Sequence, residues 1–295
     1  MFELMIDGQP LVSVIMAMRN ASATVRDTIR SLQWQTLSDW ELILLDDGSV
    51  DSSVRVIESF NDPRIRLFVD GRRMGLAARL NQAVGTARGR FIARMDADDV
   101  CFPLRLEKQV AFLEAHPQID LMASSAVVFS GDEQVGLLPV SLNHDDIVRH
   151  PFRGFSFPHP TWCGRAEWFR TNPYDGSLGT AEDQDLLLRS YGHSKFAGIG
   201  DVLIGYRQPR LEIGKLLRGR LVFSRSVWRH AGAIGPFVSG INGILSQAVR
   251  ATVDIVTIGL GLNRWSQRRR LHAVPRDVYD AWLTLRARLQ CNQGT

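Results

Sequence analysis

Short apolar, β-branched runs punctuate the first 130 residues: VSVIMAM from Val12, ELILL from Glu41, IRLFV from Ile65, FIARM from Phe91 and IDLMASSAVVF from Ile119. Their starts lie 29, 24, 26 and 28 residues apart. Between the first two, Val25, Ile29 and Leu32 recur at helical spacing and share one face. Strands with no polar alternation, separated by helical patterns, predict an α/β fold, a Rossmann-like, mostly parallel sheet with helices on both faces. In such sheets ligands bind beyond the carboxyl ends of the strands. Candidate chemistry is therefore sought where these runs stop.

Beyond residue 210 the pattern changes. Lys215, Arg218, Arg220, Arg225 and Arg229 alternate with apolar residues. In the following segment Ser239, Asn242, Ser246, Arg250, Asp254 and Thr257 form a polar stripe on a helix. The rest of that helix is apolar, with Phe237, Val238, Ile241, Leu245, Val249, Val253 and Val256. Arg264, Arg268, Arg269 and Arg270 come next. The 295 residues are 45% hydrophobic and 22% charged, which excludes a disordered chain. The net charge of +4 conceals a split. Residues 1–209 hold 21 basic and 27 acidic side chains, whereas 210–295 hold 14 and 4. Two parts are expected: a catalytic domain over 1–210 and a basic, amphipathic helical extension over 211–295. Arg250 and Asp254 interrupt any membrane span. Basic flanks beside a broad apolar face suit a helix lying in an anionic membrane surface, with packing on the core or on a second copy as the alternatives. No nucleic-acid motif is present. Three cysteines without a CxxC pair, and Glu3 and Asp7 in place of a leader's apolar run, predict a cytoplasmic protein, and the basic tail adds the expectation of a peripheral place at the inner face of the membrane.

Two of the strands run into acid. ELILL meets Asp46-Asp47-Gly48-Ser49, and FIARM meets Asp96-Ala97-Asp98-Asp99. Each has a plain structural use, as a turn or as a helix cap. Two acidic strand ends at one edge of a sheet call for more. Read as extended chain, Asp96 and Asp98 project to one side. Paired carboxylates offer hard oxygens for Mg²⁺ or Mn²⁺, a cation that also holds substrate phosphates. A third acidic group, Glu182-Asp183-Gln184-Asp185, precedes an apolar helix and could supply a general base.

Spaced motifs in one order extend the reading. They are VSVIMAMRNA, SLQWQTLSDWELILLDDGSVDSS, GLAARLNQAVGTARGRFIARMDADD, PLRLEKQVAFLEAHPQIDLM, HPTWCGRAEWF and GTAEDQDLLLR. Over residues 11–207 the chain resembles the family 2 glycosyltransferases of GT-A fold. The resemblance implies metal-assisted, inverting transfer of a sugar from a nucleotide-diphosphate donor to a hydroxyl acceptor on a glycan or lipid-linked precursor. It implies Asp47 at the nucleotide base with Asp46 beside it, Arg79 near the nucleotide, and Asp96 near the ribose or metal. It makes Asp98 the principal metal ligand and Asp183 the catalytic base, with Glu182 as second candidate. His159 falls on the acceptor side, where a structural role is expected. Arg19 stands where the family has an aromatic residue, which bears on the choice of nucleotide. The rival readings are a nucleotide-sugar-binding protein without turnover and, more remotely, a signalling receiver.

Overall fold

The computed structural model describes residues 8–131, 133–208, 212–234, 237–261 and 271–291. Glu3, Asp7, the 210/211 boundary and the run Arg264, Arg268, Arg269 and Arg270 lie outside the described residues.

All five apolar runs are strands: β1 (Val12–Met18), β2 (Trp40–Asp46), β3 (Ile65–Phe68), β4 (Phe91–Arg94) and β6 (Leu121–Ser130). Four more, β5 (Val100–Cys101), β7 (Glu133–Leu138), β8 (Cys163–Arg165) and β9 (Phe196–Arg207), complete one sheet. Its order is β3-β2-β1-β4-β8-β6-β9-β5, with β7 on β6. β3, β2, β1 and β4 form a parallel block, and β6 runs parallel to β9. β8 joins the two parts by antiparallel pairing to β4 and β6. The additional strands are short or broken by glycine and acid, as in FAGIGDVLIGYR of β9, so periodicity does not reveal them.

Helices cover both faces, which is why β1 and β2 carry apolar residues at nearly every position. On one face Val14, Met16, Leu42 and Leu44 pack against Val25, Ile29 and Leu32 of α1 (Val25–Gln33) and against α2 (Ser53–Glu58) and α4 (Arg105–Ala115). On the other, Ile15, Ile43 and Leu45 pack against α3 (Leu76–Thr86), α6 (Ala166–Thr171) and α7 (Glu182–Ser190). The short α5 (His144–Ile147) adds Ile147 to this cluster.

Among the described residues three C-terminal helices dock on this frame: α8 (Ile213–Ile234), α9 (Phe237–Gly259) and α10 (Arg276–Cys291). α8 inserts Phe223, Val227 and Ala231 beside α7, and Ser226 donates to Asp185 at 2.6 Å. α9 lies on the turn Pro151–Arg153 through Gly243, where a Cβ would sit 2.4 Å from the Phe152 carbonyl oxygen. α10 seats Trp282, Leu285 and Leu289 on Phe102, Val127 and Phe129. Only part of the polar stripe of α9 turns inward: Asp254 and Thr257 are buried, together with Gln247, Gly240 and Gly243, while Asn242 and Arg250 are exposed. Val238, Leu245, Val249, Val253 and Val256 are exposed as well. No described helix is long and apolar enough to cross a membrane.

Candidate active site

β1 separates the two acidic turns. Its residue Met18 pairs with Asp46 and its Ile15 with Arg94, so both turns leave the same edge of the parallel block. Asp47 donates its N–H to the Met18 carbonyl, and Met95 donates to that of Ile15. Both acidic motifs therefore stand at the carboxyl ends of neighbouring strands, where an α/β sheet binds ligands.

Asp46 shapes the first turn. Its buried carboxylate accepts the N–H groups of Gly48 and Ser49, an arrangement that lets Gly48 adopt φ +71°. Asp47 faces the other way, into the loop before α3. It accepts from Met74 N at 2.6 Å, Gly75 N at 3.0 Å and Arg79 Nε at 3.2 Å. Arg79 is only 1% exposed. Its guanidinium also grips Asp70 at 2.6 Å and the Arg72 carbonyl, so one buried cation ties Asp47 to the 70–75 loop. Bidentate geometry of this kind suits arginine and not lysine.

The second turn is more strongly charged. Arg94, the last residue of β4, is buried, and two of its nitrogens meet Asp96. Asp96–Asp99 is a turn closed by Asp99 N on the Asp96 carbonyl, not the extended segment that strict alternation predicts. Folding back brings in a third carboxylate. Ligand oxygens of Asp96, Asp98 and Asp99 all lie within 4.8 Å of one another. Asp99 is fully buried; one of its oxygens accepts Arg207 N at 2.7 Å and the other has no partner among the described residues. Burial, then repulsion from Asp96 and Asp98, pushes the Asp99 carboxyl well above the usual range, and Asp98 is raised by burial and by Asp96. Crowded, desolvated carboxylates with an orphaned oxygen fit a hard divalent cation, which would relieve their repulsion.

The third acidic group comes to the same place. Ala181, in the left-handed conformation at φ +58°, turns the chain into α7 and sets Glu182 and Asp183 in its first turn. The buried Glu182 carboxylate lies 3.8 Å from His159 Nδ1 and is pushed up to about 7 by burial and then by Asp183. Asp183 is less enclosed, and it too is raised by burial. The Arg94 charge acts on Asp96, Asp99, Glu182 and Asp183 alike, and Asp96 acts on Glu182. The strand end and the helix start thus share one electrostatic centre. His159 is held well below its ordinary range by burial and by Arg94, and its Nε2 meets the Tyr174 hydroxyl at 2.8 Å. It is a neutral packing residue, edge-on to Trp162.

Arg94, Asp99 and Arg207 belong to this centre and were not singled out from the sequence. An arginine ending an apolar strand was the available signal for Arg94. Nothing local marks Arg207, which reaches the Asp98 carbonyl from β9.

A Rossmann-like sheet with a DxD-type turn and an acidic helix start defines a GT-A glycosyltransferase architecture. The model of glycosyl transferase family 2 matches residues 13–179, and the chain belongs to that family as an enzyme. It is 38% identical over 190 residues to EpsE, assigned as a glycosyltransferase in Bacillus subtilis, covering 62% of this chain and 67% of EpsE. It is 32% identical over 142 residues to the UDP-Glc:α-D-GlcNAc-diphosphoundecaprenol β-1,3-glucosyltransferase WfgD of Escherichia coli, 48% of this chain and 56% of WfgD. Among solved structures, mannosyltransferase PcManGT of Pyrobaculum calidifontis, in complex with GDP-Man and Mn²⁺, superposes with a TM-score of 0.56 at 17% identity. That match spans 96% of this chain and 86% of PcManGT, and it extends the likeness of fold into the C-terminal helices.

Proposed function

We propose that the chain transfers a sugar, with inversion, from a nucleotide-diphosphate donor to a hydroxyl on a glycan or lipid-linked acceptor. The observation that carries this reading is the convergence of the Asp96–Asp99 turn and the first turn of α7 on Arg94. The named activity of WfgD and the ligands of PcManGT agree with it.

Asp98 and Asp96, with Asp99 behind them, would hold the divalent cation, Mn²⁺ or Mg²⁺. Bound there, it supplies positive charge to the departing diphosphate. Asp47 faces the nucleoside with Asp46 shaping the turn beside it, and Arg79 acts on the nucleotide through its grip on Asp47. Asp183 accepts the acceptor's hydroxyl proton as that oxygen bonds to the anomeric carbon and the carbon–oxygen bond to the diphosphate breaks, its electron pair leaving with the phosphate oxygen. Glu182, more enclosed and held against His159, stands behind Asp183 as the second candidate. Arg94 keeps both acidic groups in register while each carries charge. The exposed apolar face of α9, flanked by basic residues, supports a peripheral contact with the inner face of the membrane; the protein then works from the cytoplasmic side.

Thermal-shift titration with nucleotide-diphosphate sugars, with and without Mn²⁺, tests the donor side, because a ligand that binds only the folded state raises Tm. Wild type should show a Mn²⁺-dependent shift that Asp98→Ala abolishes. Asp183→Asn should keep the shift and lose transfer by about 10²–10⁴-fold, the usual worth of a general base. A shift indifferent to Mn²⁺ and to Asp98→Ala, or transfer at the wild-type rate by Asp183→Asn, would refute the assignment.

A further inference from the structure

The Asp96–Asp99 turn is held from two sides by elements distant in sequence. On one side the Thr24 hydroxyl donates to the Ala97 carbonyl. The Thr28 hydroxyl lies 3.0 Å from that carbonyl and 2.7 Å from the carbonyl of Asp99. On the other side stands Arg207, the last residue of β9. Its main-chain N–H donates to one Asp99 carboxylate oxygen at 2.7 Å, and its Nε–H donates to the Asp98 carbonyl at 2.8 Å. The other Asp99 oxygen, buried and without a partner among the described residues, is left for a cation.

The place of Arg207 depends on a short ladder. β5 begins immediately after Asp99 and pairs with β9 through Val100 with Gly205 and Cys101 with Ile204. Two residues at a sheet edge supply few hydrogen bonds, so their register depends on what packs against them. Tyr206 and Gln208 line a cavity of roughly 840 Å³ beside α7. Alternation therefore sends Gly205 and Arg207 to the opposite side, toward α10. There Trp282, 2% exposed, lies so close to Gly205 that a Cβ at that position would overlap its ring and would also crowd Val100. The Trp282 ring is 4.8 Å from that of Phe129 and 6.2 Å from that of Phe102. The Arg207 guanidinium stands 4.6 Å over Phe129. Trp282, Phe129 and Arg207 thus form a continuous stack from α10 to the main chain of Asp98.

We propose that Trp282 and Arg207 are positioning residues for the cation site. α10 presses the β5–β9 ladder into register, and Arg207 then fixes the Asp98 main chain and the Asp99 carboxylate at the spacing one hard divalent cation needs. Neither residue is a ligand. Three crowded carboxylates repel one another, and a turn already held together spares the cation the cost of gathering them. The inference rests on the reading of Asp96, Asp98 and Asp99 as a cation site. It adds a C-terminal determinant of that site, from residues outside the 13–179 that the family model matches.

Titration of the full chain with Mn²⁺ alone tests it, read as the electron paramagnetic resonance signal of unbound Mn²⁺. Trp282→Ala should weaken Mn²⁺ binding by about tenfold or more, the usual worth of a partner that orients ligands, and Trp282→Phe should recover most of the loss. Arg207→Gln should weaken it similarly. Arg207 is only partly buried, so that variant carries the test by itself if Trp282→Ala does not fold. Its sign is diagnostic. The Arg207 charge acts on Asp98 and Asp99, so electrostatics alone predicts tighter Mn²⁺ binding once that charge is gone, whereas positioning predicts weaker binding. Gly243→Ala, which strains the remote contact of α9 with Phe152, serves as a destabilised control and should bind Mn²⁺ as wild type does. Unchanged or tighter binding by Arg207→Gln overturns the proposal, and so does an equal loss in Gly243→Ala. Wild type that binds no Mn²⁺, or binding that survives Asp98→Ala, would remove the cation site and both readings with it. Normal, Asp98-dependent binding that ignores Trp282 and Arg207 removes this inference alone.

Discussion

At the scale of single residues, the site is organised by buried charge. Arg94 would be costly alone inside the protein, and its two-nitrogen contact with Asp96 offsets that cost. Glu182 is the converse, a carboxyl whose surroundings favour the proton. Its folded pKa of about 7 exceeds the ordinary 4.5, so the folded state binds the extra proton. The stability this contributes is complete below about pH 4.5 and is lost as the pH rises through 7. Glu182→Gln removes that loss. Between pH 5 and 8 the variant should gain on wild type by on the order of 2–3 kcal/mol, read as diverging urea midpoints; parallel profiles for the two proteins would contradict the placement of Glu182. The carboxylates themselves were legible in the sequence, because acids that interrupt an apolar run stand out. Arg94, Asp99 and Arg207 were less so. Their importance comes from burial and from partners up to 109 residues away.

Whole elements show where pattern reading succeeds. The five leading strands and the α1 face of Val25, Ile29 and Leu32 came directly from apolar spacing, since elements buried on a wide face need that spacing. α9 shows where it stops. Its apolar face was recognised, yet that face is exposed, and the helix meets the protein through Gly240, Gly243, Gln247, Asp254 and Thr257. Gly240 and Gly243 decide this: each lets the helix backbone approach a neighbour more closely than any side chain allows. Gly243→Ala would place a methyl group 2.4 Å from the Phe152 oxygen. It should destabilise by about 1–3 kcal/mol despite the better helix propensity of alanine. Gly232→Ala in α8 meets nothing within 4 Å and should stabilise by up to about 1 kcal/mol. Opposite signs of the two changes in Tm check the close packing; equal effects would disprove it.

Over the whole molecule, an acidic catalytic frame carries a basic C-terminal part, whose described residues form α8, α9 and α10. Their inward contacts are polar or glycine-based around α9, and their outward surface includes a row of valines and leucines. In water such a face is unfavourable unless something covers it. If the cover is an anionic lipid surface, Leu245→Glu/Val249→Glu should weaken sedimentation with phosphatidylglycerol vesicles by about tenfold or more while leaving the fold intact. Undiminished sedimentation would point to cover by a second copy. The amino-acid sequence by itself determined the α/β class, the parallel block, the acidic strand ends and the charge division, because each is written in local spacing or composition. Only the tertiary structure decided that the Asp96–Asp99 turn folds back to add Asp99. It also decided that Arg94, which grips Asp96, extends its charge to Glu182, 86 residues further along, and that α9 presents its apolar side outward. Those outcomes depend on which distant surfaces meet and how much water they exclude, and no local pattern encodes that.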